Sequence, residues 1–454
     1  MATVCRKEGN KHPWGIVYSI VKEKIEKQTT WTEIRLSDAN KTICLVDTIE
    51  AQLRKCVPKD EIAVLSAESR ALKQKVKGYT NMNLEPIISY MEINMAISTF
   101  KNKKAPGIDN FKIEILTELW KKMPDAIYGV MNNCFNQGSL PRLWKEANLK
   151  ILLKDENRTS LNFYRSIAIL SVLRKVLEKI IVNIINGTYK EAESENPDQF
   201  GFRKGKCTDD AFLSFRCAIR FTEKKLVATT FIDIGGASDN LWPAILARLA
   251  SANCSTHILN VIKSYFRNRK VMVRNKMKEY TRKMEKGCPQ RSIIKPAAWV
   301  WSMDAVLTDL RRNVPSECTD FIAYADDLAC AVKCNTRSEL FTHSEQIMEI
   351  LIGWCNSHRL KISDSKTVLI MFERNLDESR LAMIKINGKN IKFVKKVKYL
   401  GVILDKKLNF IEHAKYLRAK ITQHVCVIGR IASERWGIKR HDRKCSMALL
   451  RSQL

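Results

Sequence analysis

A chain of 454 residues, 45% of them hydrophobic, can bury a large core, which excludes a disordered protein and a disulfide-stapled miniprotein. Its 78 lysines and arginines and 48 acidic residues give a formal net charge of +30, with the basic residues spread along the chain. Because contacts to phosphates release counterions, this excess favours a polyanionic partner held in a basic groove. We predict nucleic acid as that partner, although the ribosome or an anionic membrane surface would suit the same charge.

The 14 cysteines lack the tight spacing of a disulfide framework, which predicts reduced thiols and an intracellular protein. Cys330 and Cys334 are four residues apart and Cys355 is followed by His358, but no closing ligands follow in register, so we predict no zinc module. The N-terminus has no apolar signal core, and no run of about 18 apolar residues occurs. The sequence therefore predicts neither secretion nor a membrane-spanning helix.

The first third of the chain is predicted to be helical, with one basic loop. An amphipathic helix is predicted over residues 62–76, and helical spacing recurs over 86–97. Pro106 and Gly107 then force a turn beside several lysines, and a further helical stretch is predicted over 111–134. The lysine-rich loop could contact phosphates, but a solvated break between helices is the reading that these residues alone favour.

Two cations flank a polar loop further along the chain. A strand is predicted over residues 147–154, and an apolar run from Tyr164 leads into a helix through about residue 185. Lys154 and Arg165 therefore bracket the loop, where the arginine could bind a triphosphate bidentately and the lysine as a point charge. Surface cations without a ligand are an equal alternative on this evidence.

Three carboxylates follow in the second half of the chain. A β-branched strand carries Asp233 near its end, and a later hairpin is predicted with Ala325 and Asp326 in its tight turn. That turn would let Asp326 and Asp327 reach one region of space, although many Asp-Asp pairs are only solvated turns. Carboxylates are the ligands that Mg²⁺ takes in proteins. Together the three acids would make the site that two-metal nucleotidyl transfer requires.

The remaining segments are loops, strands and basic helices. Residues 199–211 form a basic loop whose glycines would let the backbone approach a nucleic-acid strand closely. A second loop over 286–296 leads to a tryptophan-rich helix over 299–310, and a strand pair is predicted over 393–404. Beyond residue 405 the chain is basic and helical.

Eight motifs follow one another over residues 101–404: KKAPGIDN, LLKDENRTSLNFYRSIAIL, DQFGFRKGKCTDDAF, FIDIGGASDNLW, GCPQRSIIKP, FIAYADDLA, LKISDSKT and KVKYLGVILD. In this order they resemble the reverse transcriptase of non-LTR (LINE-like) retrotransposons, especially arthropod elements that insert into ribosomal DNA. The resemblance implies an α+β, right-hand polymerase fold with fingers, a palm with an antiparallel sheet, and a helical thumb. Residues 1–80 are then an N-terminal linker or extension, 81–404 the fingers and palm, and 405–454 the start of a truncated thumb.

The resemblance also implies an activity and a set of site residues. The activity is that of an RNA-directed DNA polymerase with two Mg²⁺ ions, or Mn²⁺ in their place. Its partners are an RNA template, a DNA primer or RNA–DNA hybrid, and dNTPs. The metal-binding catalytic acids are Asp233, Asp326 and Asp327. The residues matched to nucleotide binding are Lys154, Arg165, Ser238, Gln290 and Lys366. The primer grip matches Tyr399, Leu400 and Gly401.

Several positions depart from the family pattern. Ser238 stands where family members usually carry Phe or Tyr, and loss of that ring would weaken discrimination against ribonucleotides. Arg291 stands where glycine is expected, and a glycine in such a loop serves an unusual φ or a close approach of the substrate. Lys295 replaces a small residue, whereas Ser166 and Asp364 each replace a proline.

These departures keep a second hypothesis open beside the polymerase, namely a catalytically impaired nucleic-acid-binding remnant of such an element. Arg291 and Lys295 favour the remnant, while the intact set of three acids favours the enzyme. A basic interaction module without nucleotide chemistry is a third hypothesis, which the order of the motifs disfavours. We expect the family's N-terminal endonuclease to be absent from this sequence and the thumb to be cut short.

Overall fold

The structure is a computed structural model that describes most of the chain from residue 45 onward. The described residues are 45–57, 79, 88–153, 164–191, 195–220, 222–235, 242–274, 279–285, 287–358, 360–372, 385–386 and 388–431. They fall into two compact units, one up to Val394 and one from Lys395. The predicted helix over 62–76 lies outside the described residues, as do Lys154 and Ser238.

Helices and mainly antiparallel sheets together give the α+β class that the sequence predicts. The helices are α1 (Leu45–Cys56), α2 (Tyr90–Ser98), α3 (Ile113–Lys122), α4 (Pro124–Asn136), α5 (Val172–Glu191), α6 (Thr208–Arg220), α7 (Trp242–Ser251), α8 (Thr256–Phe266), α9 (Ile294–Asn313), α10 (Arg337–Ser357) and α11 (Ile411–Ile431). The strands are β1 (Glu146–Leu153), β2 (Tyr164–Ile169), β3 (Leu226–Gly235), β4 (Arg269–Arg274), β5 (Glu279–Met284), β6 (Thr319–Tyr324), β7 (Asp327–Cys334), β8 (Lys361–Ile362), β9 (Val368–Met371), β10 (Lys385–Ile386), β11 (Lys389–Asn390), β12 (Lys392–Phe393), β13 (Lys396–Tyr399) and β14 (Val402–Asp405).

The helical stretch predicted over 111–134 is confirmed, and the structure divides it into two helices, α3 and α4. They meet at Met123, whose φ of −140° and ψ of 58° are not helical. Pro124 is the cause, since its ring removes a backbone N–H and restricts the preceding residue to non-helical angles. Proline suits the first position of a new helix, and α4 begins there.

One sheet has four strands in the order β2-β1-β4-β5, two from the first half of the chain and two from the second. Strand β1 is antiparallel to β2, with Leu152 opposite Arg165, and parallel to β4. A separate buried cluster covers this sheet, in which Ile49 and Leu53 from α1 pack with Leu149 and Val271 from the strands. The hairpin of β4 and β5 had no counterpart in the sequence prediction.

A second sheet carries the predicted acids, in the order β12-β9-β3-β7-β6, with the short β8 also paired to β3. Seven consecutive residues of β3, from position 226 to 232, are buried, as expected of a strand covered on both faces. Helix α6 packs against β6 and β7, and α10 packs against β7 and β8. Asp233 therefore lies near the end of a buried strand that is paired on both sides, with β7 and β9.

The second unit contains the predicted strand pair, which the structure confirms as β13 and β14. Leu400 and Gly401 form its turn and both have positive φ, as a type I′ hairpin requires. Helix α11 packs against β14. Among the described residues, no helix has the length and apolar composition needed to cross a bilayer.

Candidate active site

The three predicted acids meet at one end of the second sheet. Strands β3 and β7 are antiparallel, and their register places Asp233 directly opposite Asp327. Strand β6 pairs with β7 up to Tyr324 opposite Asp327, which leaves Ala325 and Asp326 as the two turn residues, as predicted. Residues directly opposite each other on antiparallel strands project to the same face, so the side chains of Asp233 and Asp327 share one side of the sheet.

The charges of this site are only partly compensated. Asp326 and Asp327 are exposed, and the pKa of Asp327 is raised by partial desolvation and then by the negative charges of Asp326 and Asp233. The positive charge of Lys366 acts in the opposite direction and lowers the pKa of Asp327. Lys366 also forms an ion pair with Asp233, with 3.1 Å between Nζ and Oδ2. The carboxylate oxygens of the three acids are not all within 4.8 Å of one another in this structure. Three hard oxygen donors whose negative charge is only partly offset by Lys366 fit a divalent cation.

The segment that carries Lys366 also fixes the end of β3. The backbone N–H of Ser363 donates to the carbonyl oxygen of Asp233 at 2.9 Å. The N–H of Asp233 donates in turn to Oγ1 of the fully buried Thr367 at 3.4 Å. Lys366 lies between these two anchors in sequence, so the LKISDSKT motif positions an acid and a cation together.

The turn between β6 and β7 has a strained backbone. Ala325 has a φ of +57°, and positive φ at the first turn residue is the geometry of a type II′ hairpin, which favours glycine. Left-handed φ costs a non-glycine residue about 1–2 kcal/mol. Two side chains hold the peptide there: the Ala325 N–H donates to Oε1 of Gln199 at 3.3 Å, and its carbonyl accepts from Nε1 of Trp299 at 2.6 Å.

Gln199 belongs to a segment that contacts β6 through one isolated β-bridge. It forms a parallel bridge with Ala323, and its Oε1 also accepts from the N–H of Gly201 at 2.8 Å. A Cβ on Gly201 would lie 2.0 Å from the backbone nitrogen of Ala325. The sequence predicts that the glycines of this loop let the backbone approach a nucleic-acid strand. In the structure, Gly201 instead lets the backbone approach the turn that carries Asp326.

Two ion pairs anchor that segment to α9. Arg311 donates to both carboxylate oxygens of Asp198, at 2.7 and 2.8 Å. Arg203 pairs with Asp304 and, at 3.0 Å, with Glu195. Asp304 is fully buried, and desolvation raises its pKa to about 6 although Arg203 acts in the opposite direction. Arg203, a basic residue of the DQFGFRKGKCTDDAF motif, therefore has a structural role instead of being free to bind phosphate.

The loop before α9 contains the predicted nucleotide contact Gln290. A hydrogen bond of 3.1 Å from the N–H of Ser292 to the carbonyl of Pro289 closes a turn with Gln290 and Arg291 at its centre. Arg291 has a φ of +71°, and positive φ at the second central residue is the type II geometry that calls for glycine. The structure thus gives the physical reason why a glycine is expected at this position.

A buried acid in α5 holds this loop, and sequence reasoning missed it. Glu178 accepts from the N–H of Ile293 at 2.7 Å, from the hydroxyl of Ser292 at 3.0 Å and from Nε of Arg174 at 2.7 Å. Arg174 and Glu178 are both buried, and Arg174 also donates to the carbonyl of Trp144. An Arg and a Glu four residues apart inside an apolar helix were the only sequence signal.

The lysine-rich loop before α3 packs against the start of α5. A Cβ on Gly107 would lie 2.6 Å from the backbone of Ser171, so the loop touches the junction after β2. Asp109 accepts a hydrogen bond from the Ser171 hydroxyl. Arg165 lies in β2, where its backbone is described but its side chain is not. Lys295 is half-buried in the first turn of α9.

Comparisons with known proteins relate the chain to reverse transcriptases. A family model described as reverse transcriptase (RNA-dependent DNA polymerase) matches residues 153–404. A 115 kDa protein of the type-1 retrotransposable element R1DM from Drosophila melanogaster is 29% identical over 95% of this chain and 40% of its own length. The Pol polyprotein of element R1 from Bradysia coprophila is 29% identical over 95% of the chain and 42% of its own length.

A further relative is the RNA-directed DNA polymerase of the mobile element jockey from Drosophila funebris, 27% identical over 74% of this chain and 37% of its own length. The chain thus spans about two fifths of the length of these curated relatives. The matched residues, 153–404, include every acid, nucleotide-binding and primer-grip residue predicted from the sequence, whereas the lysine-rich loop lies outside the match.

We predict that Gly201→Ala destabilises the protein by about 1–3 kcal/mol, because the added methyl group must displace the backbone of Ala325. Urea unfolding measures the change in free energy. Gly187→Ala is the matched control: its Cβ meets nothing within 4 Å inside α5, so this variant should be about as stable as the parent or up to about 1 kcal/mol more stable. Equal stability of the two variants would contradict the proposed contact.

We predict that Glu178→Gln costs about 3–5 kcal/mol in unfolding free energy, because it leaves the buried Arg174 without its charge partner. Glu118→Gln removes an exposed partner of Lys121 in an i,i+3 pair and should cost less than about 1 kcal/mol. Chemical denaturation of both variants gives the comparison. If Glu178→Gln were as mild as its control, the buried pair would not support the loop.

Proposed function

The chain belongs to the reverse transcriptase (RNA-dependent DNA polymerase) family, and on that premise we propose that it is the polymerase core of a non-LTR retrotransposon. The reaction is the addition of dNTPs to a primer 3′-end along an RNA template. The observation that carries the proposal is the register of Asp233 opposite Asp327, with Asp326 in the adjoining turn. This arrangement supplies three carboxylates on one side of a buried sheet.

Reverse transcriptases generally use divalent metal ions, and we propose two Mg²⁺ ions, with Mn²⁺ as a substitute, held by Asp233, Asp326 and Asp327. When bound, such ions activate the primer hydroxyl and stabilise the leaving pyrophosphate. Lys366 orients Asp233 through the ion pair of 3.1 Å between its Nζ and Oδ2 of the carboxylate. Because the Lys366 side chain is 69% exposed, its ammonium is also within reach of an entering phosphate.

The other nucleotide contacts follow from the family motifs. Lys154 and Arg165 would hold the triphosphate, and Gln290 would flank the incoming nucleotide from the loop that Glu178 fixes. Ser238 would lie beside the ribose. The basic excess of the chain supports a groove that recognises the RNA–DNA hybrid by its shape and backbone charge, with the primer end held by the turn at Leu400. An intracellular location, expected from the cysteines, belongs to the same proposal.

A specific observation also favours the impaired remnant. Arg291 combines a strained positive φ with a long cationic side chain in the loop beside the predicted nucleotide contact. That strain is worth about 1–2 kcal/mol, and the side chain adds bulk where a glycine would leave room. Such a chain would keep its fold and its acids while placing a nucleotide poorly.

We predict that the chain extends a DNA primer on an RNA template in Mg²⁺ and that Asp326→Asn lowers the rate by at least about 100-fold, because a ligand of the metal is lost. Arg291→Gly should raise the rate, since it removes both the strain and the cation. Arg291→Ala is the matched control, which removes the cation but keeps a residue that disfavours positive φ. Gel-based extension assays compare the four proteins.

Activity that survives Asp326→Asn at the parent level would contradict the assignment of the acids. No extension by the parent, restored in Arg291→Gly, would establish the impaired remnant with an intact metal site. No extension by any variant, with folding confirmed by circular dichroism, would exclude polymerase activity for this length of chain.

We predict that the parent incorporates ribonucleotides readily and that Ser238→Phe lowers this incorporation relative to dNTPs by roughly 10–100-fold, since an aromatic ring would crowd the 2′-hydroxyl. Ser238→Ala, which adds no bulk, is the control and should leave the ratio unchanged. Competition between matched ribonucleotides and deoxynucleotides in primer extension gives the ratio. An unaffected ratio in Ser238→Phe would remove Ser238 from the ribose site.

A further inference from the structure

A second group of metal-binding side chains lies at the far end of the hairpin that carries the acids. Potential ligand atoms of Cys318, Cys334 and His343 all lie within 4.8 Å of one another. Cys318 immediately precedes β6, Cys334 ends β7, and His343 lies in α10. Cys334 is seven residues beyond Asp327 along β7, so the group is about 23 Å from the acids and independent of them.

We propose that Cys318, Cys334 and His343 bind a structural Zn²⁺ ion, with water as the fourth ligand. Two thiolates and an imidazole are soft donors of the kind that zinc takes in proteins, whereas Mg²⁺ prefers oxygen. Zinc lies about 2.3 Å from sulfur and about 2.0–2.1 Å from nitrogen, so the ligands of one ion are a little under 4 Å apart. The three side chains are close to that spacing already.

The backbone around the group is fixed before any metal arrives. The N–H of Lys333 donates to the carbonyl of Cys318 at 2.8 Å, which holds the two cysteine-bearing strand ends together. Thr336 caps α10 by accepting from the N–H of Glu339 at 3.3 Å, which fixes the start of the helix that carries His343. Ligands that are already positioned lose little conformational entropy when they bind an ion.

The imidazole has a partner that suits it as a ligand. Nδ1 of His343 lies 3.3 Å from Oε1 of Gln346. A proton on Nδ1 donated to this oxygen leaves the lone pair of Nε2 for the metal, and metal-binding histidines usually have such a second contact. His343 is half-buried, so an ion can reach it.

The ligands come from three different elements, and their sequence separations are 16 and 9 residues. The sequence expectation of no zinc module rests on short-range spacing, which cannot detect such a group. A bound ion would connect the start of β6, the end of β7 and α10. It would therefore stabilise the hairpin from the end opposite to Asp326.

The test is the zinc content of the full chain, purified with zinc present and then desalted, measured by atomic emission. Cys318→Ser and His343→Gln should each retain one zinc ion fewer per chain than the parent. Cys217→Ser, at an exposed cysteine, and His257→Gln are the matched controls and should retain the parent amount. With Co²⁺ as the probe, the parent should show thiolate-to-cobalt charge transfer that Cys318→Ser and His343→Gln weaken.

A second readout separates metal binding from a folding defect. Addition of a chelator should lower the melting temperature of the parent and of His257→Gln but leave that of His343→Gln unchanged, since the last protein has no ion to lose. Equal zinc content in the parent, Cys318→Ser and His343→Gln would overturn the proposal. A disulfide between Cys318 and Cys334, found by non-reducing peptide mapping of the freshly purified chain, would overturn it as well.

Discussion

The register between β3 and β7 is the constraint on which the rest of the site depends. Side chains alternate between the two faces of a strand, so a slip of one residue would move Asp327 to the opposite face from Asp233. Register is strongly specified where strands are buried, and β3 is buried over seven consecutive residues while β7 is buried over five. The buried hydrophobic residues of β3 and β7 thus fix the positions of Asp233 and Asp327 at the ends of these strands.

A strained turn completes the site, and parts of the chain far apart in sequence support it. Gln199 and Trp299 hold the peptide of Ala325 from two sides, and Gly201 leaves room for the approach. Helix α9 begins at the predicted nucleotide loop, and Trp299 lies in its second turn. Through Trp299, this helix contacts the turn that carries Asp326. Glu178 anchors the start of that helix. The nucleotide loop and the acid-bearing turn are therefore linked by one rigid element.

Local patterns predicted a large part of this arrangement. The hairpin around Ala325 and the strand before Asp233 follow from runs of apolar, β-prone residues next to acids, and the structure has both. The expectation that Arg291 occupies a glycine position agrees with its φ of +71°. These features depend on near neighbours, which the order of residues records directly.

Other features depend on contacts between distant residues and left little local signal. Gln199 binds a peptide 126 residues away, and Glu178 binds the loop 115 residues away. Glu178 has only its spacing of four residues from Arg174 as a signal, whereas Gln199 and the pair of Cys318 and His343 have none. The break at Pro124 is different, because proline is a local signal that restricts the preceding residue to non-helical angles.

The central claim is that Asp233, Asp326 and Asp327 act as one metal site on the paired ends of β3 and β7. Its most direct test is Mn²⁺ binding followed by electron paramagnetic resonance, with an RNA template, a chain-terminated primer and the next dNTP present. We expect the parent to bind Mn²⁺ in this complex and Asp233→Asn and Asp327→Asn each to weaken the same binding. Unchanged Mn²⁺ binding in both variants would contradict a shared site.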